Sequence, residues 1–199
     1  YLKKVVFSFS VLVLILFSNS GWAQYAGTGT FNKITSTADL TDGYYVIAYG
    51  ATFAMNNTNA GLYFGNTAIT PAGTVITDPS TSMVWKIQTH IDGGRTIYNE
   101  VSARYVSYTG STNAAYAVTA VTGGSEFWNF AWSSTVFNIT NVATSTRFLQ
   151  YNASSPRFSC YLSTSNQQNL TIYKLATLQP TINVSPASLS GFSYVQGSG

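Results

Sequence analysis

Aromatic rings standing beside side-chain amides are the one chemical surplus of this sequence, which carries 14 Tyr, 12 Phe and 4 Trp in 199 residues. Tyr63 lies three residues before Asn66, Asn113 three before Tyr116, and Tyr151 directly before Asn152. Tyr108 occupies the same place as Tyr151 in two related stretches, Arg104-Tyr105-Val106-Ser107-Tyr108 and Arg147-Phe148-Leu149-Gln150-Tyr151. An aromatic face covers the apolar face of a sugar ring while an amide fixes its hydroxyls. These seven residues are therefore the candidate ligand-binding set, and the same rings would otherwise fill a small all-β core.

Catalytic chemistry has thinner material. The acids outside the leader are Asp39, Asp42, Asp78, Asp92, Glu100 and Glu126. Asp42-Gly43 and Asp92-Gly93 read as turn dipeptides, and Asp39 lies where Thr35, Ser36 or Thr37 could cap a short helical turn. His90 is the only histidine, two residues before Asp92, and Gly-x-Ser-x-Gly does not occur. With one His and one Cys, no metal-ligand spacing exists, and no cofactor is expected. Cys160 alternates with Phe158 and Leu162, so it reads as a small buried hydrophobe.

The elements that must hold these residues are strands. Short alternating runs rich in Val, Ile, Thr, Tyr and Phe end at Gly, Asn, Ser or Asp turns. Helical patterning is confined to one possible turn at residues 35–40. Trp85 recurs as Trp128, 43 residues on, and Tyr173 follows after another 45. Arg104-Tyr105 and Arg147-Phe148 are again 43 apart. The expected repeats are 43–88, 89–131 and 132–176. A period of this length also suits propeller blades, but closed propellers need about four to eight of them. Three units of four strands instead fit an all-β fold of the β-trefoil type, with Trp85, Trp128 and Tyr173 packed near the barrel axis. A single β-sandwich with chance similarity is the other all-β solution.

At the N-terminus, Lys3 and Lys4 precede an apolar run at 5–17, and Gly21-Trp22-Ala23 offers a cleavage site. This reads as a signal peptide over 1–23, because the run is too short for a span of about 20 residues. Removal leaves seven basic residues against six acids, and no polybasic run. Nucleic acid is therefore not an expected partner of this segment, nor is a membrane after cleavage. Secretion or cell-surface display is the expected localisation. The domain would span 24–176. Residues 177–199 read as a linker opening an immunoglobulin-like module, which needs about 100 residues. Since the chain starts at Tyr1 and stops at Gly199, the expectation is a fragment whose partners include further domains of the same chain.

The succession of a strand, a turn, "RYVSY" or "RFLQY" and a closing aromatic strand resembles the ricin-type β-trefoil lectins. Those lectins close each repeat with Gln-x-Trp, where this chain has Met83-Val84-Trp85, Glu126-Phe127-Trp128 and Thr171-Ile172-Tyr173. GTGTFNKITSTADLTDGYYVIAYG and FLQYNASSPRFSCYLSTSNQQNLTIYKL are similar to N-terminal modules of secreted multidomain Bacteroidetes proteins. The resemblance implies a non-catalytic module for glycan or another extracellular polymer. Two alternatives stand beside it: an accessory domain of a secreted nuclease or hydrolase, and a structural spacer or adhesin segment.

Overall fold

The computed structural model describes residues 24–110 and 112–176. The leader at 1–23 and the linker at 177–199 lie outside the described residues. In chain order the strands are β1 (Thr30–Lys33), β2 (Gly43–Tyr49), β3 (Phe53–Asn59), β4 (Phe64–Ala68), β5 (Val75–Thr77), β6 (Val84–Thr89) and β7 (Arg95–Asn99). They continue as β8 (Arg104–Ser107), β9 (Tyr116–Val118), β10 (Trp128–Ser133), β11 (Val136–Asn141), β12 (Arg147–Asn152), β13 (Arg157–Leu162) and β14 (Thr171–Leu175). Among the described residues the only helical pieces are single 3-10 turns, at Thr37–Asp39, Thr81–Met83 and Gly124–Glu126. Ser36 caps the first of them, its hydroxyl accepting from Ala38 N–H.

Six strands close a ring. β2 pairs with β6, β6 with β7, β7 with β10, and β10 with β11, all antiparallel. β11 meets β14 through the Phe137–Leu170 bridge, and β14 returns to β2. Three hairpins, β3–β4, β8–β9 and β12–β13, cap one end. They interlock at Leu62, whose carbonyl accepts from Ala115 N–H and Ser159 Oγ–H. Each repeat thus supplies two barrel strands around one hairpin: β2–β3–β4–β6, β7–β8–β9–β10 and β11–β12–β13–β14. The fold is a β-trefoil.

Closure removes the exposed edges that an open sheet of this length would present. It also creates an interior that alternating side chains fill. Tyr45, Ile47, Trp85, Ile87, Ile97, Val106, Trp128, Ile139, Leu149 and Ile172 belong to one buried cluster. Trp85 and Trp128 hold equivalent places. The indole N–H of Trp85 donates to Met55 O at 2.9 Å and that of Trp128 to Val106 O at 3.0 Å. Two buried asparagines repeat in the same way. Asn99 donates to Thr81 O and Val84 O, and Asn141 to Ser125 O and Phe127 O, so each ties a barrel strand to the preceding 3-10 turn. Gly94, at φ +73°, is required where β7 begins: a Cβ there would stand 2.9 Å from Val142 and 3.3 Å from Trp128 N.

Tyr173 departs from the expected axial position. It is buried, but alternation along β14 turns Ile172 into the barrel and Tyr173 outward. There it joins a second core of Tyr25, Phe31, Tyr44, Val46, Ala48, Ala54, Ile76, Met83 and Val84. This core lies beneath a strap formed by β1, which pairs with both β14 and β5. Asp78 fastens the strap by accepting from Gly29 N–H at 2.7 Å, and Tyr25 by donating to Pro79 O at 2.7 Å. Burial beneath the strap, with the Asp78 charge nearby, pushes the Tyr25 hydroxyl up to about 12.

Candidate functional site

Antiparallel partners share a sheet face, and the register assembles one outward row across five strands. Tyr44 on β2 lies opposite Lys86 on β6, and Lys86 opposite Tyr98 on β7. Tyr98 faces Tyr105 on β8, and Tyr105 faces Val118 on β9. Tyr44 is buried under the strap, whereas Lys86, Tyr98, Tyr105 and Val118 are half-exposed. The Tyr98 and Tyr105 ring centroids are 4.6 Å apart, with planes tilted by 41°. Their inward neighbours Ile97 and Val106 are fully buried. The two rings form a single platform, anchored from behind by the barrel.

Polar groups stand at the upper end of that platform. Glu100 accepts from the Tyr44 hydroxyl at 2.8 Å and lies 3.9 Å from Lys86 Nζ. Burial, reinforced by that hydrogen bond to a carboxylate, pushes the Tyr44 hydroxyl far up, so it stays protonated and keeps donating to Glu100. Below the row, Glu126 is almost fully buried behind Ser107 of β8. Burial pushes its carboxyl up. Hydrogen bonds from Ser107 Oγ, Thr122 N, Gly123 N and Thr122 Oγ1 outweigh that and hold it below the ordinary carboxylate range. Its charge fixes β8 to the 3-10 turn that precedes β10.

The residues singled out in the sequence are dispersed. Tyr108 and Tyr151 are each 1% exposed and offer no face to a ligand. The reason is parity: Tyr108 follows Val106 by two residues and Tyr151 follows Leu149 by two, so both point inward with them. Tyr151 stacks on Tyr49 at 4.7 Å and on Phe53 at 5.7 Å, with Phe158 tilted against it at 4.9 Å. Tyr108 donates to Gly110 O, and the Arg147 guanidinium lies 5.4 Å from its ring centroid. Asn113 accepts from Arg147 Nη1 at 2.8 Å, which links it to Tyr108, while Tyr116 is half-buried at the start of β9. Asn152 serves the β12–β13 hairpin turn, accepting from Ser154 and Ser155 N–H. Tyr63 and Asn66 remain together, half-exposed, against the third hairpin: Arg157 covers the Tyr63 ring at 5.0 Å and Asn66 donates to Pro156 O.

Tyr98 and Tyr105 are the residues that sequence reasoning passed over. Alternation would have found them, since each is the outward neighbour of a buried aliphatic residue. His90 stacks on Phe127 at 4.4 Å, and its Nδ1 accepts from Asp92 N–H in the β6–β7 turn. Asp42 accepts from Thr89 and Arg95, tying the start of β2 to β7. Cys160 is buried, with its thiol pushed up by that burial. Among the described residues, no three His, Cys, Asp or Glu side chains gather as a metal site.

No protein-family model matches the sequence, and no curated protein matches it. Solved structures do share the fold. A Polyporus squamosus lectin, bound to a human-type influenza-binding epitope Neu5Acα2-6Galβ1-4GlcNAc, matches with a TM-score of 0.54 at 20% identity. That match covers 68% of this chain and 50% of the lectin. A Clostridium perfringens endo-β-galactosidase that releases GlcNAcα1-4Gal matches at 0.54 and 10% identity, over 67% of this chain and 32% of the enzyme. The Rhizoctonia solani agglutinin matches at 0.50 and 16% identity, over 68% of this chain and 95% of the agglutinin. This chain therefore spans half the length of the lectin and about a third of the galactosidase.

Proposed function

We propose that this β-trefoil is a carbohydrate-binding module, and that the Tyr98–Tyr105 platform is where a sugar ring rests. The observation that carries the reading is the outward row itself: two half-exposed tyrosines, braced from behind, with Lys86 and Glu100 placed to meet hydroxyls. The fold likeness to a lectin with a bound glycan supports it. Binding to a glycan array by the whole chain tests it. Tyr98→Ala and Tyr105→Ala should each weaken the strongest glycan signal about tenfold, the loss of part of one buried aromatic contact. Unchanged binding in both variants sinks the assignment.

The module is further proposed to work outside the cell, on the strength of the leader-like residues 1–23. N-terminal sequencing of the exported protein should begin at Gln24, and an intact leader overturns this. Within a larger secreted chain, such a module holds glycan near other domains and raises effective concentration without new chemistry. The partial coverage of the galactosidase favours company of that kind.

A further inference from the structure

The six acids outside the leader all lie between Asp39 and Glu126, and residues 43–77 and 127–199 contain none. The first and third hairpins are therefore devoid of carboxylates where they meet, through Phe64 and Phe158. Arg157 stands at that seam. Its guanidinium stacks on Tyr63, with the carbon centre 5.0 Å from the ring centroid, and its Nε–H donates to the Tyr161 hydroxyl at 3.4 Å. Tyr161 is itself buried. Among the described residues Arg157 has no carboxylate partner, and its two terminal amino groups have no protein acceptor. A stacked guanidinium with its Nε occupied has lost most of its rotamer freedom and presents a pair of parallel N–H donors. That edge matches a planar carboxylate.

We propose that Arg157, held by Tyr63 and Tyr161, is an anion subsite for the carboxylate of an acidic polysaccharide. A sugar acid fits better than an acidic peptide, because Tyr63 beneath the guanidinium and Asn66, bonded to the carbonyl of the preceding Pro156, add a hydroxyl and an amide suited to ring hydroxyls. The subsite lies on strands other than the Tyr98–Tyr105 platform. Loss of one therefore leaves binding at the other intact, and the two assignments fail separately.

The test uses the full chain with polygalacturonate and with its methyl ester, which keeps the sugar backbone and hydroxyls but caps each carboxylate as a neutral ester, at fixed ionic strength. Wild type should bind the acid polymer at least tenfold more tightly than the ester. Equal binding overturns the proposal without recourse to any variant. Arg157→Lys keeps the charge but loses the fork, and should weaken acid-polymer binding about tenfold. Lys33→Ala, which removes a charge from β1, should leave binding unchanged. Wild-type affinity in Arg157→Lys, or an equal loss in Lys33→Ala, overturns the subsite in favour of bulk charge. Equally tight binding of polyglutamate assigns the site to acidic peptide and overturns the sugar-acid reading.

Discussion

Where the first repeat pairs Ala48 with Ala54 across β2 and β3, the second pairs Tyr98 with Tyr105 across β7 and β8. The equivalence follows from the tryptophans, since Met55 and Val106 are the residues whose carbonyls accept the two indole N–H groups. Ala54 and Tyr105 precede those acceptors. On the first repeat, two small side chains leave room for Phe31, Ile76 and Tyr25, and the outer face becomes a second core. On the second, two large rings fill the same space themselves and remain half-exposed. Equal backbones therefore gave opposite surfaces: side-chain size at two positions decides whether a face is covered or presented.

Three variants press on that comparison. The largest expected effect is Ala54→Tyr, which places a second-repeat ring under the first-repeat strap. Ala54 is fully buried, so overpacking should cost about 1–3 kcal/mol and lower the unfolding temperature. A variant as stable as wild type would show that the strap tolerates a ring, and the size argument would fail.

Glu126→Gln probes a second difference on the same outer side, because the first repeat has Met83 two residues before its tryptophan where the second has Glu126. The folded carboxyl is held below its ordinary value of 4.5. Its charged form therefore stabilises the protein above that pH, and the contribution is lost as pH falls through the lowered folded value. Urea unfolding across pH should show wild type more stable than Glu126→Gln at neutral pH, with the gap narrowing below 4.5. A gap independent of pH would mean that packing, rather than charge, fixes the turn. The smallest stability change belongs to Tyr105→Ala. Its ring is half-exposed between Tyr98 and Val118, so thermal unfolding should shift by less than about 1 kcal/mol while glycan binding falls. A larger shift would turn the platform into a structural brace.

Much of the trefoil was legible because its signals are local. The 43-residue recurrence of Trp85 in Trp128, and of Arg104-Tyr105 in Arg147-Phe148, marks the repeats without any knowledge of pairing. The strap was not legible. β1 binds β14 from 140 residues away in sequence, and a four-residue strand carries no record of its partner. The candidate site shows a subtler limit. Repeat position singled out Tyr108 and Tyr151 as equivalents, and they are equivalent, as core residues. Their parity relative to Val106 and Leu149 held the answer, and the same parity places Tyr98 and Tyr105 outside.

Strand period, repeat number and the abundance of aromatic rings are all readable along the chain, because alternation and recurrence are written in consecutive residues. Parity names the rings that point outward, and long-range contacts then settle which of those stay uncovered. Whether a tyrosine is core or platform depends on what another segment lays over it, as the strap does over Tyr44. Whether Arg157 finds an acceptor depends on which hairpin folds beside it. Those are contacts between residues far apart in the chain, fixed when the barrel closes.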